Sequence, residues 1–391
     1  MTVDEDADGP RVLVAPDKFK GSLTAAEAAR AIADGVRAAL PGSRVIELPV
    51  ADGGEGTVDA VVAAGGTRHV VAVTGPTGAP VDAAWAALGE VAVVELAAAD
   101  GLQLLRPTRT TALTAGSSGT GEVVRAALDA GFRRIVIGLG GSSGTDGGTG
   151  LLTSLGARFL DADGRPVPPG GGSLRRIAEV DLDALDPRLA EADVVVCCDV
   201  EVPLTGERGA AALFGPQKGA AREDVAELDA GLAHLAEVLH AVTGRDAAAV
   251  AWGGAAGGVS GGLYAALGAR FTPGADYVVT LLGLDDRLAE ADLVVVGEGR
   301  MDRTSLTGKA PVEVVRRAVA AGVAAVAVVG ALALTEDEVA AAGLRAVRSA
   351  VDEAGSAAEA LTRPEHWVRA AAETVARTAV ENELVVIEEP R

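Results

Sequence analysis

The sequence predicts an α/β protein of two domains. One is a Rossmann/flavodoxin-like domain with a parallel sheet, built from both chain ends; the other is an inserted α/β domain with a mixed sheet. Three observations carry this reading. Short β-branched runs alternate with alanine-rich helical patterns near both chain ends, the rhythm of βαβ units. Between about residues 69 and 100 the rhythm breaks. Apolar runs there are parted by Gly75-Pro76, Gly78 and Gly89-Glu90, the texture of antiparallel or mixed strands with no helix between them. Finally, 391 residues at 49% hydrophobic content suit two domains with sizeable cores and exclude disorder over most of the chain. The expected division is an acidic disordered tail over 1–10, a first domain over 11–70 plus 280–391, and an inserted domain over 71–279.

Arg11 to Ala15 reads as the first strand, followed by a helix from about Ala25 behind the capping box Thr24-Ala-Ala-Glu27. Pro41-Gly42 ends that helix. Val45 to Val50 is a second strand, and Glu55 to Ala64 a helix stopped by Gly65-Gly66. In the middle of the chain the pattern gives helix Glu122 to Ala130, strand Arg134 to Leu139, a helix from about Thr149 and a hairpin turn at Asp161-Ala-Asp-Gly164. Strand Asp193 to Cys198 and a long helix from Glu223 to about Thr243 follow. Strand Leu293 to Val296, helix Val312 to Ala321, strands Ala324 to Val329 and Ala346 to Val351, and a last helix from Trp367 to Asn382 complete the series. The uncharged stretch Ala318 to Leu334 reads as a helix end, a turn and a buried strand, too interrupted by Gly322 and Gly330 to span a membrane.

Charge narrows the function. A net charge of −21 argues against nucleic acid and anionic membranes as partners, and obliges any anionic ligand to find local positive groups. Only four basic residues are lysines, namely Lys18, Lys20, Lys218 and Lys309; all the others are arginines. A compact ammonium suits sites where a planar guanidinium does not fit. Each of the four lies at or near a glycine in a loop-like stretch. The adjacent Cys197 and Cys198 point to opposite faces of a strand and argue against a disulfide, and no Cys/His spacing suggests zinc. The acidic start lacks the basic and apolar regions of a signal peptide, so a cytoplasmic location is expected.

Ligands of open parallel sheets bind beyond the carboxyl ends of the strands. There the chain carries Asp17-Lys18-Phe19-Lys20-Gly21-Ser22, then Asp52-Gly53-Gly54-Glu55, then Gly297-Glu298-Gly299-Arg300-Met301-Asp302 with Gly308-Lys309. The inserted domain adds Gly140 to Gly150 around Asp146, Gly116 to Gly121, and Asp199 at a strand end. Glycine exposes backbone N–H groups to an anion, and a helix N-terminus adds partial positive charge. A Walker A loop and a dinucleotide fingerprint are both absent. Lysines, glycines and carboxylates together fit phosphoryl transfer. A nicotinamide-dependent hydroxy-acid dehydrogenase and a non-catalytic nucleotide sensor are the alternatives.

At these residues the sequence resembles the type-1 glycerate kinases of bacteria. The matching stretches are 15–24, 48–57, Thr74-Gly-Pro76, Gly119-Thr-Gly121, Gly140-Gly-Ser142 with Asp146-Gly-Gly148, Phe214-Gly-Pro-Gln-Lys-Gly219, Gly297-Glu-Gly-Arg300 and Gly308-Lys309. All four lysines fall inside them. The pattern departs from the family at Ser143-Gly144-Thr145, Val202 and Thr304-Ser305.

The resemblance implies an ATP- and Mg²⁺-dependent kinase of D-glycerate, a monomer or homodimer, with transfer to the 2-hydroxyl favoured over the 3-hydroxyl. On that basis Lys20, Lys218 and Lys309 are expected to neutralise phosphate oxygens, and Arg300, with Asp17, Lys18 and Ser22 near it, to hold the glycerate. Gly140, Gly141, Ser142, Gly147 and Gly148 are expected to cradle phosphates. Asp52 or Asp199 is expected to accept the hydroxyl proton, and Asp146, Glu298 or Asp302 to help hold Mg²⁺.

Overall fold

The computed structural model describes residues 9–199 and 201–385, so the acidic tail expected over 1–10 lies, apart from Gly9 and Pro10, outside the described residues. Its strands are β1 (Arg11–Pro16), β2 (Arg44–Glu47), β3 (Thr67–Thr74), β4 (Pro80–Leu88), β5 (Val91–Glu95) and β6 (Arg134–Gly138). They continue as β7 (Arg158–Leu160), β8 (Glu179–Asp181), β9 (Asp193–Cys197), β10 (Arg270–Thr272), β11 (Leu293–Met301), β12 (Ala324–Leu332) and β13 (Leu344–Ser349). The chain divides into two compact units. One holds the described residues up to Asp52, Ala63–Gly65 and the chain from Ala275 onward; the other holds Gly53–Val62 and Gly66–Gly274.

The first unit is built on a sheet of order β13-β12-β11-β1-β2, parallel throughout. Val12, Val14, Leu293, Val295, Val326 and Val328 alternate onto one buried face. The helix Ala25–Ala39 covers that face; Thr24 caps it by accepting from the Glu27 N–H while Glu27 accepts from the Thr24 N–H. Such a cap contributes about 1 kcal/mol. Beside it lies the last helix, Pro364–Glu381. A Cβ on Gly35 would stand 2.4 Å from the Arg369 carbonyl oxygen, so only glycine permits this approach of the two helices.

The second unit has a sheet of order β10-β9-β6-β5-β4-β3. β10, β9, β6 and β5 are parallel, while β5-β4-β3 form the expected antiparallel run. Its core gathers Val94, Leu128, Ile135, Ile137, Leu151, Val196, Leu232 and Leu263. β7 and β8 form a separate ribbon, and the turn at Asp161 is closed by the Gly164 N–H on the Asp161 carbonyl at 2.9 Å. Cys197 and Cys198 are buried free thiols. Among the described residues no helix is long and apolar enough to cross a membrane.

Several elements differ from the sequence expectation. The strand expected at Leu293 to Val296 continues to Met301, so Gly297-Glu298-Gly299-Arg300 is strand; Arg300 stays in register with Ala331. Its glycines accommodate close backbones, since a Cβ on Gly330 would lie 2.2 Å from the Gly299 carbonyl oxygen. The helix expected from Glu122 begins at Ser118 and includes Gly119 and Gly121. Both glycines are buried where a Cβ would strike backbone oxygens of Thr74 and Leu151, so tertiary packing overrides their low helix propensity. The run expected as strand Ala346 to Val351 is β13 only as far as Ser349, whose hydroxyl then accepts the Asp352 N–H and starts the helix Ala350–Ala354.

Candidate active site

In the first unit the chain leaves β1 for β2 on one side and β11 for β12 on the other. The carboxyl ends of β1 and β11 therefore flank a topological switch point, where such sheets bind ligands. Asp17 follows β1 directly. It donates its N–H to the Gly297 carbonyl at 2.8 Å, and its carboxylate accepts the Lys18 N–H at 2.6 Å. The Lys18 ammonium stands 3.9 Å from the same carboxylate. Asp17 is only 7% exposed. Burial pushes its carboxyl up to about 7 against the pull of Lys18, with the Asp52 and Glu298 charges adding to the rise.

The next residues form a tight turn in which Phe19 pairs with Leu23 and the Ser22 hydroxyl donates to the Phe19 carbonyl at 3.0 Å. Phe19 anchors the turn in the core, and Lys20 is exposed. A Cβ on Gly299 would lie 3.0 Å from the Lys20 nitrogen, so this glycine lets β11 run beside the turn.

On β11 Glu298 is buried and meets the Lys309 ammonium at 3.3 Å through Oε2. Its Oε1 has no hydrogen-bond partner among the described residues. Burial raises this carboxyl above its usual range while Ser305 and Lys309 hold it back. Arg300 is exposed and lies 3.5 Å from Asp302, whose carboxylate accepts from the Thr304 N–H and hydroxyl at 2.9 and 2.6 Å. Those Thr304 bonds hold the Asp302 carboxyl below its ordinary value. Lys309 is the residue before the helix Ala310–Ala320.

In the second unit the loop after β6 is packed backbone on backbone. A Cβ on Gly138 would lie 2.0 Å from the Gly53 carbonyl oxygen, and one on Gly140 2.9 Å from the Gly54 Cα. Gly141, Gly147 and Gly148 take φ of +74°, +62° and +80°, values that favour glycine. Asp146 lies at the centre, fully buried. One of its oxygens accepts from the Ser117 N–H, the Ser117 hydroxyl and the Gly150 N–H at 3.0, 2.8 and 3.0 Å; the other accepts from the Gly148 N–H at 3.0 Å. Ser142 and Gly144 are held by the Lys218 ammonium, at 2.9 Å for the Ser142 hydroxyl. Asp199 stands just beyond β9 and accepts the Gly274 N–H at 2.8 Å.

Two acids that the sequence reading passed over also stand at this sheet's carboxyl edge. Glu95 ends β5, is buried and accepts the Val58 N–H at 2.6 Å. Asp100 is 1% exposed and accepts from the Thr120 N–H and hydroxyl, while its Oδ1 has no partner among the described residues. Burial pushes Asp100 up to about 7 against the Thr120 bonds, and the Asp146 charge adds to the rise. The signal for both was an acid ending or following an apolar run at a strand's carboxyl end, the same signal that singled out Asp199.

Each unit thus gathers its own set. The first brings Asp17, Lys18, Asp52, Glu298, Arg300, Asp302 and Lys309 to one sheet edge; the second brings Asp146, Ser142, Lys218 and the glycines into one loop structure. Among the described residues no three His, Cys, Asp or Glu side chains converge as a ready metal cage. Mg²⁺ usually takes one or two carboxylates and completes its shell with water and phosphate oxygens. The unpartnered, buried Glu298 Oε1 suits that donor set, whereas the Asp146 oxygens are both engaged by the loop.

The sequence profile described as the glycerate kinase family matches residues 12–380. A glycerate kinase of Halalkalibacterium halodurans is 39% identical over 93% of this chain and 97% of its own length. A glycerate 2-kinase of Escherichia coli K12 is 44% identical over 78% of this chain and 81% of its own length. The crystal structure of a candidate glycerate kinase 2 from Salmonella typhimurium LT2 superposes with a TM-score of 0.85 at 40% identity, over 97% of this chain and all of that one. Matched by that profile along nearly its whole length, the chain belongs to the glycerate kinase family.

Proposed function

We propose that this protein transfers the γ-phosphoryl group of ATP to the 2-hydroxyl of D-glycerate, giving 2-phosphoglycerate and ADP. The observation that carries the reading is the gathering of Asp17, Lys18, Glu298, Arg300 and Lys309 at the carboxyl ends of β1 and β11 in a chain that matches the family over residues 12–380. The relative named glycerate 2-kinase, 44% identical, favours the 2-position.

Phosphoryl transfer needs positioning and charge stabilisation more than covalent help from the protein. Lys20 and Lys309 supply ammonium groups for phosphate oxygens, and the planar Arg300 guanidinium suits the glycerate carboxylate. Ser22, Lys18 and Asp17 lie in the turn that adjoins Arg300's strand. The glycines 140, 141, 147 and 148 offer backbone N–H groups. Glu298, through its unpartnered oxygen, and Asp302 would hold Mg²⁺, which supplies neutralisation of phosphate charge when bound. Asp52 and Asp199 are the acceptors proposed for the hydroxyl proton. Asp17 joins them because its raised carboxyl takes up and releases a proton near neutrality.

The test is incubation of purified protein with Mg-ATP and D-glycerate, with NMR identification of the product. 2-Phosphoglycerate and ADP are expected. 3-Phosphoglycerate would move the acceptor to the other hydroxyl, and no phosphorylated product would sink the reading.

A further inference from the structure

Lys218 ends the short turn Pro216–Lys218 and is 2% exposed. Its ammonium donates to the Ser142 hydroxyl and to the Gly144 carbonyl, both neutral groups of the glycine loop. Among the described residues no carboxylate forms an ion pair with it. The acid whose charge reaches it is Asp146, and that carboxylate is already shared among the N–H groups and hydroxyl of Ser117, Gly148 and Gly150. Asp224, close to Lys218 in sequence, is paired with Arg109 at 2.9 Å and accepts the Ala221 N–H. A Cβ on Gly257 would fall 3.0 Å from the Lys218 nitrogen, so the absence of a side chain there leaves the ammonium its place.

Burying a cation whose direct partners are neutral costs several kcal/mol, offset only in part by the Asp146 charge, and an apolar side chain of equal length would fill the space without that cost. The loop above it has no Lys or Arg from 140 to 150. A charge placed there is best accounted for by an anion that arrives later.

We propose that Lys218 is the fixed positive charge beneath a phosphate site on loop 140–148, a positioning residue that holds Ser142 and Gly144 and never touches the ligand. This rests on the phosphoryl-transfer reading and changes one part of it. The loop's backbone contacts the phosphates of the nucleotide, while Lys218 acts from behind. A consequence concerns protons. Burial lowers the ammonium to about 8, opposed by Asp146. A bound anion favours the charged form, so binding near that pH draws in a proton.

The test is calorimetric titration of the whole protein with ADP at pH 8.5, in two buffers of different ionisation heat. The wild type is expected to take up a substantial fraction of a proton per ADP bound. Lys218→Met is expected to bind ADP at least tenfold more weakly and to take up none. A folded Lys218→Met with wild-type affinity and wild-type proton uptake overturns the proposal. Should that variant not fold, the wild type decides alone, because ADP binding without proton uptake between pH 7.5 and 9 overturns it equally. A wild type that binds no ADP and forms no phosphoglycerate sinks the phosphoryl-transfer reading itself; product formation with an unaffected Lys218→Met sinks only this inference.

Discussion

Glu298 and Lys309 meet at 3.3 Å, and the pair uses only one of the two carboxylate oxygens. The other, Oε1, is buried without a partner among the described residues. An unmade bond of that kind costs roughly 1–3 kcal/mol, more for a charged group. On the proposed reading this is the oxygen that would hold Mg²⁺. Glu298→Gln keeps the shape and removes the charge. We expect kcat/KM to fall about 100-fold, which is about 2.7 kcal/mol of transition-state stabilisation, with a higher Mg²⁺ concentration at half-maximal rate. Steady-state rates across a Mg²⁺ series check this. A change confined to the melting temperature would leave Glu298 a structural residue.

Asp17 makes a pH prediction. Its carboxyl is pushed up to about 7 in the folded protein from an ordinary value of 3.8. The folded state thus binds more protons than the unfolded one between those values, and stability falls as pH rises from about 4 to about 7. Asp100, likewise raised to about 7, contributes in the same direction. Urea unfolding at pH 5 and pH 8 should show a smaller difference in Asp17→Asn than in the wild type. If Asp17 also accepts the hydroxyl proton, log kcat/KM rises with pH up to about 7 in the wild type, and Asp17→Asn is slow and flat.

Asp146 should behave as a staple of its loop. Four donors converge on its carboxylate in a fully buried setting. Asp146→Ala leaves them unsatisfied, and we expect a loss of at least about 3 kcal/mol in urea unfolding. Asp146→Asn should cost less, since its carbonyl still accepts. Equal losses for the two would show that shape, and not hydrogen bonding, holds the loop.

Two glycines separate steric need from backbone need. Gly138→Ala places a Cβ 2.0 Å from the Gly53 carbonyl oxygen, forcing the loop away from β6; we expect a loss of at least ten-fold in kcat/KM. Gly21→Ala meets nothing within 4 Å and pays only for a φ of +82°. That costs about 1–2 kcal/mol of stability. Parallel melting and activity assays on the two variants distinguish these effects.

The parallel sheet near both chain ends was legible because its strands are uniform apolar runs followed by glycine and charge. The antiparallel excursion was legible from its turn residues. Less readable was where strand became loop: Gly297-Glu298-Gly299-Arg300 looks like a turn, yet it is strand because β12 accompanies it as far as Leu332. Local pattern cannot announce a partner strand. The helices Val259–Leu267 and Gly274–Leu281 went unread for a related reason. The first carries two internal glycines, and a Cβ on Gly262 would meet the Gly147 carbonyl oxygen at 2.0 Å. At the site, residue types identified the chemistry, while burial and saturation separated Asp146 and Lys218, which hold the loop, from the exposed Lys20 and Arg300.

The pairing of β1 with β11 has a consequence for the order of assembly. Arg11 and Asp292, bonded at that seam, are 281 residues apart in sequence. During synthesis β1 and β2 leave the ribosome long before their sheet neighbours exist. The unit from Gly53 to Gly274, by contrast, emerges essentially whole. Its contacts can close first, while the early strands wait with apolar surface uncovered until Leu293 to Val329 and the helix over Gly35 arrive. Chaperones that hold nascent chains would find that waiting segment in residues 11–47.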